Sequence, residues 1–88
     1  MNWTVSLARE VAKQLERLPA DRRDFLRSHL RAMGVDPFVG DVKPLKGKKW
    51  RGRFRKRVGR YRIIFTPFRR ERHVEVSAIL LRNESTYR

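Results

Sequence analysis

The chain has 88 residues, of which 23 are lysine or arginine and 9 are acidic, so its formal net charge is +14. It contains no cysteine, which excludes disulfides, thiol catalysis and cysteine-ligated zinc, and its two histidines form no metal-ligand spacing. No apolar run approaches the roughly 20 residues of a membrane span, and the N-terminus lacks a signal-peptide pattern, so we expect one cytoplasmic domain over residues 1–88, with no cofactor and no membrane contact.

The first predicted elements are a short strand and a helix. Residues Asn2–Val5 are β-prone, and Ser6 stands where it can cap a helix that begins at Leu7. Apolar residues then recur at helical spacing as far as Leu18, with polar residues between them. Because the residue before a proline avoids helical backbone angles, we expect this helix to end at Leu18-Pro19.

A second helix is predicted directly after Pro19. It begins near Ala20 or Asp21 and ends at Gly34, since glycine is common just past a helix C-terminus. The short connection predicts two antiparallel helices packed side by side. The apolar stripe of the second helix is expected to consist of Phe25, Leu26, Leu30 and Met33.

The segment Val35–Lys49 is predicted to be a loop, because it is dense in turn-forming residues. Leu45 is expected to anchor this loop to the core. The turn signals are Asp36-Pro37, Gly40-Asp41, Lys43-Pro44 and Gly47.

Three strands are predicted in the rest of the chain. Trp50–Val58 and Arg60–Thr66 form a hairpin with its turn at Gly59, and Pro67 ends the second of these strands. After a charged turn, His73–Leu81 forms a third long strand. The order β-α-α-β-β-β predicts an α+β fold in which an antiparallel sheet packs on the helix pair.

Strand periodicity assigns side chains to the two faces of this sheet. The middle-strand residues expected to face the helices are Tyr61, Ile63 and Phe65. Arg62 points the other way, and Arg55 and Arg57 are expected to join it there, so that three guanidinium groups line the open face. On the last strand, one face is predicted to carry Val74, Val76, Ala78, Leu80 and Arg82.

The stretch Arg53–Arg62 is dense in arginine and lysine, and no acidic residue occurs from Val42 to Arg70. Like charges on neighbouring strands repel each other, so a patch of one sign costs stability. Binding of a polyanion is the simplest explanation for such a patch. The net charge of +14 favours nucleic acid or an acidic protein as the partner.

Three elements of the sequence resemble the RelE/ParE toxin superfamily. They are Leu45-Lys46-Gly47, the run from Arg55 through Val58-Gly59 to Tyr61-Arg62, and a terminal Arg82 with Tyr87. The resemblance spans nearly the whole chain and implies a RelE-like fold, similar to that of microbial ribonucleases. The RelE branch of this superfamily cleaves messenger RNA on the ribosome without a metal, whereas the ParE branch poisons DNA gyrase.

The resemblance also implies catalytic residues, and these favour the RelE branch and an endoribonuclease. Arg55 and Arg57 match the cations of the first hairpin strand, and Arg62 matches the arginine of a Tyr-Arg pair. Arg82 follows the last strand, and Tyr87 lies near the C-terminus. Arginine binds phosphate oxygens bidentately but is no base. Tyr87 is therefore the candidate for proton transfer, with stacking on a nucleobase as an alternative role.

Other cations near the hairpin are expected to follow RNA phosphates. They are Lys43, Lys46, Lys48, Lys49, Arg51, Arg53 and Arg60. Trp50 is expected to anchor its loop, with base stacking as the alternative. Lys56 stands where the superfamily has a core hydrophobe, which predicts an edge strand from which its amine reaches water.

The expected partners follow from the same resemblance. They are a cognate antitoxin protein, mRNA and the ribosome, and operator DNA only through the antitoxin complex. Two other functions are also compatible with the sequence. One is a ParE-type inhibitor of DNA gyrase, and the other is a nontoxic, basic RNA-binding module.

Overall fold

A computed structural model of the protein describes residues 2–81 and contains a five-stranded sheet with two helices. The helices are α1 (Arg9–Arg17) and α2 (Ala20–Met33), and a short 3-10 turn spans Lys48–Trp50. The strands are β1 (Thr4–Leu7), β2 (Asp41–Pro44), β3 (Phe54–Val58), β4 (Tyr61–Phe68) and β5 (His73–Leu81). Neither helix within residues 2–81 has the length and apolar composition of a membrane span.

The C-terminal ends of both helices lie where proline and glycine predicted them, but the start of the first helix differs from its prediction. Leu18 is the C-cap of α1, and Gly34 is the C-cap of α2, where its backbone amide donates to the carbonyl of Arg31. The predicted cap at Ser6 is wrong, since β1 continues to Leu7 and α1 begins at Arg9. The hydroxyl of Ser6 instead lies 2.8 Å from Nε2 of His73 on the neighbouring strand.

The sheet has the strand order β1-β5-β4-β3-β2. The α+β class and the helix pair are confirmed, but the sheet is only mostly antiparallel, because β1 pairs with β5 in parallel. The two helices carry the chain away from β1 before the other strands form, and a parallel pair needs a long crossover connection of this kind.

The expected loop Val35–Lys49 contains an edge strand, β2, which pairs antiparallel with β3. Two further strand ends differ: β3 begins at Phe54, and β4 continues through Pro67 to Phe68. Because β2 takes the edge of the sheet, β3 is an inner strand. The prediction that Lys56 lies on an edge strand is therefore wrong.

A β-bulge in β5 changes which side chains face the helices. Ile64 pairs with Ala78 and Phe65 pairs with Val76, so Ser77 is the extra residue. An extra residue in one strand reverses the alternation beyond it. The predicted shared face of the last strand therefore holds only as far as Val76; from there Ile79, at 3% exposure, joins the core instead of Ala78.

The core lies between the helices and one face of the sheet. Its buried members include Leu15, Leu26, Met33, Tyr61, Ile63, Phe65 and Val76. The predicted inward face of the middle strand is thus confirmed, whereas Phe25, expected in the stripe of α2, is 40% exposed. Because Arg62 alternates with the buried residues of β4, it lies on the opposite face, which the helices leave open.

Candidate nucleic-acid interface

Arginines from two adjacent strands meet on the open face of the sheet. Arg57 of β3 is the direct partner of Arg62 in β4, and Arg55 lies two residues before Arg57, opposite Ile64. Directly paired residues of an antiparallel sheet have Cβ atoms roughly 5 Å apart. The structure therefore brings together Arg55, Arg57 and Arg62, as the strand alternation predicted.

Strand β2 adds an acidic and a basic residue to the same face. Asp41 pairs with Arg57, and Lys43 pairs with Arg55. Nη1 of Arg55 donates to Oδ1 of Asp41 at 3.2 Å, and Nη1 of Arg57 lies 4.0 Å from the other carboxylate oxygen. Asp41 was not among the predicted site residues, because it lies in the segment that was predicted to be a loop. The alternation of Asp41 and Lys43 around Val42 was the available signal.

The arginines differ in how much of each side chain water can reach. The side chain of Arg55 is 11% exposed, whereas that of Arg57 is 36% exposed and that of Asp41 is 48% exposed. A buried charge needs a partner, and Asp41 supplies it for Arg55. The Nε of Arg57 is buried and has no hydrogen-bond partner within residues 2–81, but the side chain as a whole is partly exposed. Arg55 thus holds Asp41 in place, and the exposed part of Arg57 remains accessible to an anion.

The two arginines favour the ionised form of Asp41. Its pKa lies below the ordinary value of 3.8, chiefly because of the hydrogen bond from Arg55; partial desolvation opposes this shift, and the charges of Arg55, Arg57 and Lys43 add to it. A lowered carboxyl pKa stabilises the folded state above the unfolded value. That contribution is lost as the pH falls through the folded pKa.

Replacing Asp41 with asparagine is expected to give a pH-dependent loss of stability. Above pH 3.8, Asp41→Asn should unfold at a lower temperature than the wild type, because Arg55 keeps its buried charge without a carboxylate. The difference should shrink as the pH falls from that value, where the unfolded carboxylate takes up a proton, through the lower pKa of the folded protein, where the wild-type carboxylate is protonated too. Thermal unfolding followed by circular dichroism over a pH series measures this, with Asp24→Asn on α2 as the control. A gap between the two proteins that is constant with pH would contradict the assignment.

Lys56 points to the helix side of β3 and is not part of the open face. It is 6% exposed, and its Nζ donates to the carbonyl oxygen of Val39 at 2.5 Å. Burial lowers the pKa of this amine, and the charge of Asp36 opposes the effect. Lys56 on one face and Arg55 on the other therefore both hold the segment that leads into β2.

The cations expected to contact phosphates lie around the arginines and are all exposed. They are Lys43 on β2, Lys46, Lys48, Lys49, Arg51 and Arg53 in the segment between β2 and β3, and Arg60 in the turn between β3 and β4. A backbone hydrogen bond of 2.9 Å from Leu45 to Arg53 closes this connecting segment. The connection between β2 and β3 therefore places most of these cations at the Phe54 end of β3, and Arg60 lies at the other end of that strand, beyond Val58.

The histidines lie elsewhere. His73 pairs with Phe68, six residues along β4 from Arg62, which corresponds to about 20 Å. His29 is on α2, where its ring contacts that of Phe25 at 4.7 Å between centroids. Among residues 2–81 no group of three or more His, Cys, Asp and Glu is placed to hold a metal ion.

Two of the predicted catalytic residues, Arg82 and Tyr87, lie outside the described residues. Their roles stay predictions. Residues 2–81 supply to this site the carboxylate of Asp41 and the guanidinium groups of Arg55, Arg57 and Arg62. Arg57 and Arg62 pair directly across β3 and β4.

No protein-family profile matches the sequence. No curated protein sequence matches it either. Solved structures, by contrast, share its fold over nearly its whole length.

These structures are toxins of one kind, several of them bound to an antitoxin. The toxin–antitoxin complex RelBE2 of Mycobacterium tuberculosis has a TM-score of 0.81 and 20% sequence identity, covering 93% of this chain and 100% of that chain. For the archaeal RelE–RelB complex of Pyrococcus horikoshii the TM-score is 0.80 and the identity 22%, with 96% and 99% covered. The isolated RelE toxin of Escherichia coli has a TM-score of 0.73 at 15% identity, with 93% and 86% covered.

The chain therefore has the fold of the RelE toxins. The resemblance seen in the sequence is confirmed at the level of the fold, including the helix pair and the hairpin that carries the arginines.

Proposed function

We propose that this protein is the toxin of a type II toxin–antitoxin pair, and that it is an endoribonuclease that cleaves mRNA on the ribosome without a metal. The observation that carries the proposal is the direct pairing of Arg57 with Arg62 on the open face. Two like charges in that position cost stability. A phosphate bound between them would offset the repulsion.

The chemistry of RNA cleavage explains why arginines suit this place. The 2′-hydroxyl must lose its proton, the pentavalent phosphorane must be stabilised, and the 5′-oxygen must gain a proton. Guanidinium groups do the second task, because their planar fork matches phosphate oxygens. Arg57 and Arg62 would bind the phosphate, and Arg55 would position the strand through Asp41. Arg82 and Tyr87 would complete the site, with Tyr87 as the proton-transfer group.

Binding would be dominated by phosphate contacts. The net charge of +14 and the exposed cations around the arginine pair support attraction to mRNA and the ribosome. Affinity for RNA should therefore fall steeply as the salt concentration rises. Positioning of the message by the ribosome would supply part of the rate, because a correctly oriented phosphate reacts as if in a unimolecular step.

The proposed regulatory partner is a cognate antitoxin. Several structures with this fold are complexes of RelE with RelB, and the charge of this chain favours an acidic partner. Operator DNA would be contacted only through the antitoxin complex. Cytoplasmic action follows from the proposed target.

A purified translation system with a defined message tests the proposal. The protein is added to stalled ribosomes, and new RNA ends are mapped by primer extension. We expect cuts within the ribosome-bound codon and none in the same message without ribosomes. An intact message would overturn the proposal. Gyrase-dependent DNA breaks from the same preparation would select the ParE-type alternative instead.

A further inference from the structure

Trp50 is a large aromatic side chain in a basic part of the surface, and it lies outside the core. Its relative exposure is 36%, and it is not a member of the cluster of buried side chains in the described chain. The Nζ of Lys49 lies 5.9 Å from the ring centroid, and the guanidinium carbon of Arg53 lies 5.8 Å from it. An exposed tryptophan with two cations near its ring has apolar area, a π face and positive charge in one place.

Backbone hydrogen bonds and two glycine turns define the path of the loop around Trp50. The amide of Trp50 donates to the carbonyl of Gly47 at 3.1 Å, and the amide of Arg53 donates to the carbonyl of Trp50 at 2.9 Å. Gly47 has a φ of +100° and Gly52 a φ of +80°, and each has open space where a Cβ would be. These bonds and turns set the loop path. Trp50 is 36% exposed, so part of its ring is open to a ligand, as its alternative role in base stacking requires.

The ring also lies close to the proposed cleavage site along the chain. Arg53 immediately precedes β3, and Arg57 is four residues further on in extended backbone, a distance of about 13 Å. A single RNA strand of a few nucleotides can reach both places. No acidic residue occurs between Val42 and Arg70, so nothing in this sequence stretch repels its phosphates.

We propose that Trp50 is a stacking platform for an unpaired base of single-stranded RNA, with Lys49 and Arg53 contacting the flanking phosphates. Unstacked RNA bases bind aromatic rings and guanidinium planes in this way. The carboxylates of an acidic peptide would pair with Lys49 and Arg53, but they would not stack on the exposed ring of Trp50. The inference rests on the proposed function for the identity of the strand, since the same RNA lies across Arg57 and Arg62. Binding at Trp50 can nevertheless be measured without cleavage.

The experiment uses the full chain with Trp3→Phe, so that Trp50 is the remaining tryptophan of the two. The probe is a short 2′-O-methyl oligonucleotide, which cannot be cleaved through its 2′-hydroxyl. We expect it to quench the fluorescence of Trp50. In the wild-type background, Trp50→Leu should weaken binding about 10-fold or more, and Trp50→Phe should keep most of the affinity.

Salt dependence separates stacking from charge. Trp50→Leu should leave the slope of log K against log salt unchanged, because no phosphate contact is lost. Lys49→Ala should make that slope shallower by about 0.7. Inorganic polyphosphate, which has no bases, should bind Trp50→Leu and the wild type equally, and both should unfold at the same temperature.

Wild-type affinity of Trp50→Leu for the oligonucleotide would overturn the inference. Equal weakening of polyphosphate binding, or a loss seen only with an acidic peptide, would do the same. The two proposals fail separately. A protein that cuts no message but shows Trp50-dependent quenching would retain the stacking site and lose the nuclease. One that cuts normally with Trp50→Leu, and binds as the wild type does, would retain the nuclease and lose the stacking site.

Discussion

Arg62→Ala should lower cleavage of a ribosome-bound message by about 100- to 1,000-fold, the loss typical when one group that stabilises transition-state charge is removed. Arg62 directly faces Arg57 across the β3–β4 pair, so the two guanidinium groups can hold one phosphate between them. The charge on that phosphate grows in the transition state. The loss should therefore appear mainly in kcat rather than in KM.

Two further variants make the Arg62 result specific. Arg62→Lys keeps the charge but loses the planar fork, and its activity should lie between those of the wild type and Arg62→Ala. Arg60→Ala removes the same charge from the exposed turn of the same hairpin, and it should lower activity only modestly through weaker binding. Thermal unfolding checks that each variant is folded. Equal activities of Arg62→Ala and Arg60→Ala would remove Arg62 from the site.

Phe65→Ala should destabilise the fold by about 3–5 kcal/mol, the usual cost of removing a buried phenylalanine. Phe65 is 0% exposed, stacks on the ring of Phe54 and contacts that of Phe38. It lies on β4, three residues after Arg62, and packs the strand against the core. Since a domain has only about 5–15 kcal/mol of stability, this loss would leave a large unfolded fraction.

Urea unfolding of Phe65→Ala beside Phe68→Ala measures this effect. Phe68 is on the same strand but is 43% exposed, so its replacement should cost much less. The midpoint for Phe65→Ala should fall far below that of the wild type, and cleavage should fall with the folded fraction. Equal midpoints for the two variants would contradict the position of Phe65 in the core.

Much of the fold could be predicted from local signals in the sequence. Pro19 and Gly34 marked the ends of the two helices, and Gly59 marked the turn of the hairpin. Alternation on β4 separated Ile63 and Phe65 from Arg62. Each of these signals depends on the conformational limits of one residue or on the two-residue period of a strand, which tertiary contacts did not override.

The features that were missed depend on pairing between distant parts of the chain. Strand β2 is only four residues long, and the turn-forming residues Gly40 and Pro44 led to the prediction of a loop in its place. Its place is set by pairing with β3. The bulge at Ser77 is likewise a property of the β4–β5 register, and it reversed the predicted faces of β5.

The candidate site was also predicted only in part, because it too depends on pairing between distant segments. Strand alternation predicted that Arg55, Arg57 and Arg62 share one face, but it did not predict that Arg55 is buried against Asp41. Burial of Lys56 was also missed, because the strand beyond it was not foreseen. The density of charge in the sequence does not distinguish the buried cations from the exposed ones. The structure divides them into Arg55 and Lys56, which hold the neighbouring segment, and Arg57, which is open to a ligand.

Mapping of RNA ends on one ribosome-bound message, with the wild type beside the Arg57→Ala/Arg62→Ala double variant, tests the role of the arginine pair most directly. We expect the wild type to cut within the ribosome-bound codon and the double variant, at the same folded concentration, to leave the message intact. Equal cutting by the two proteins, or an uncut message with the folded wild type, would contradict the assignment of the arginine pair on the open face to RNA cleavage.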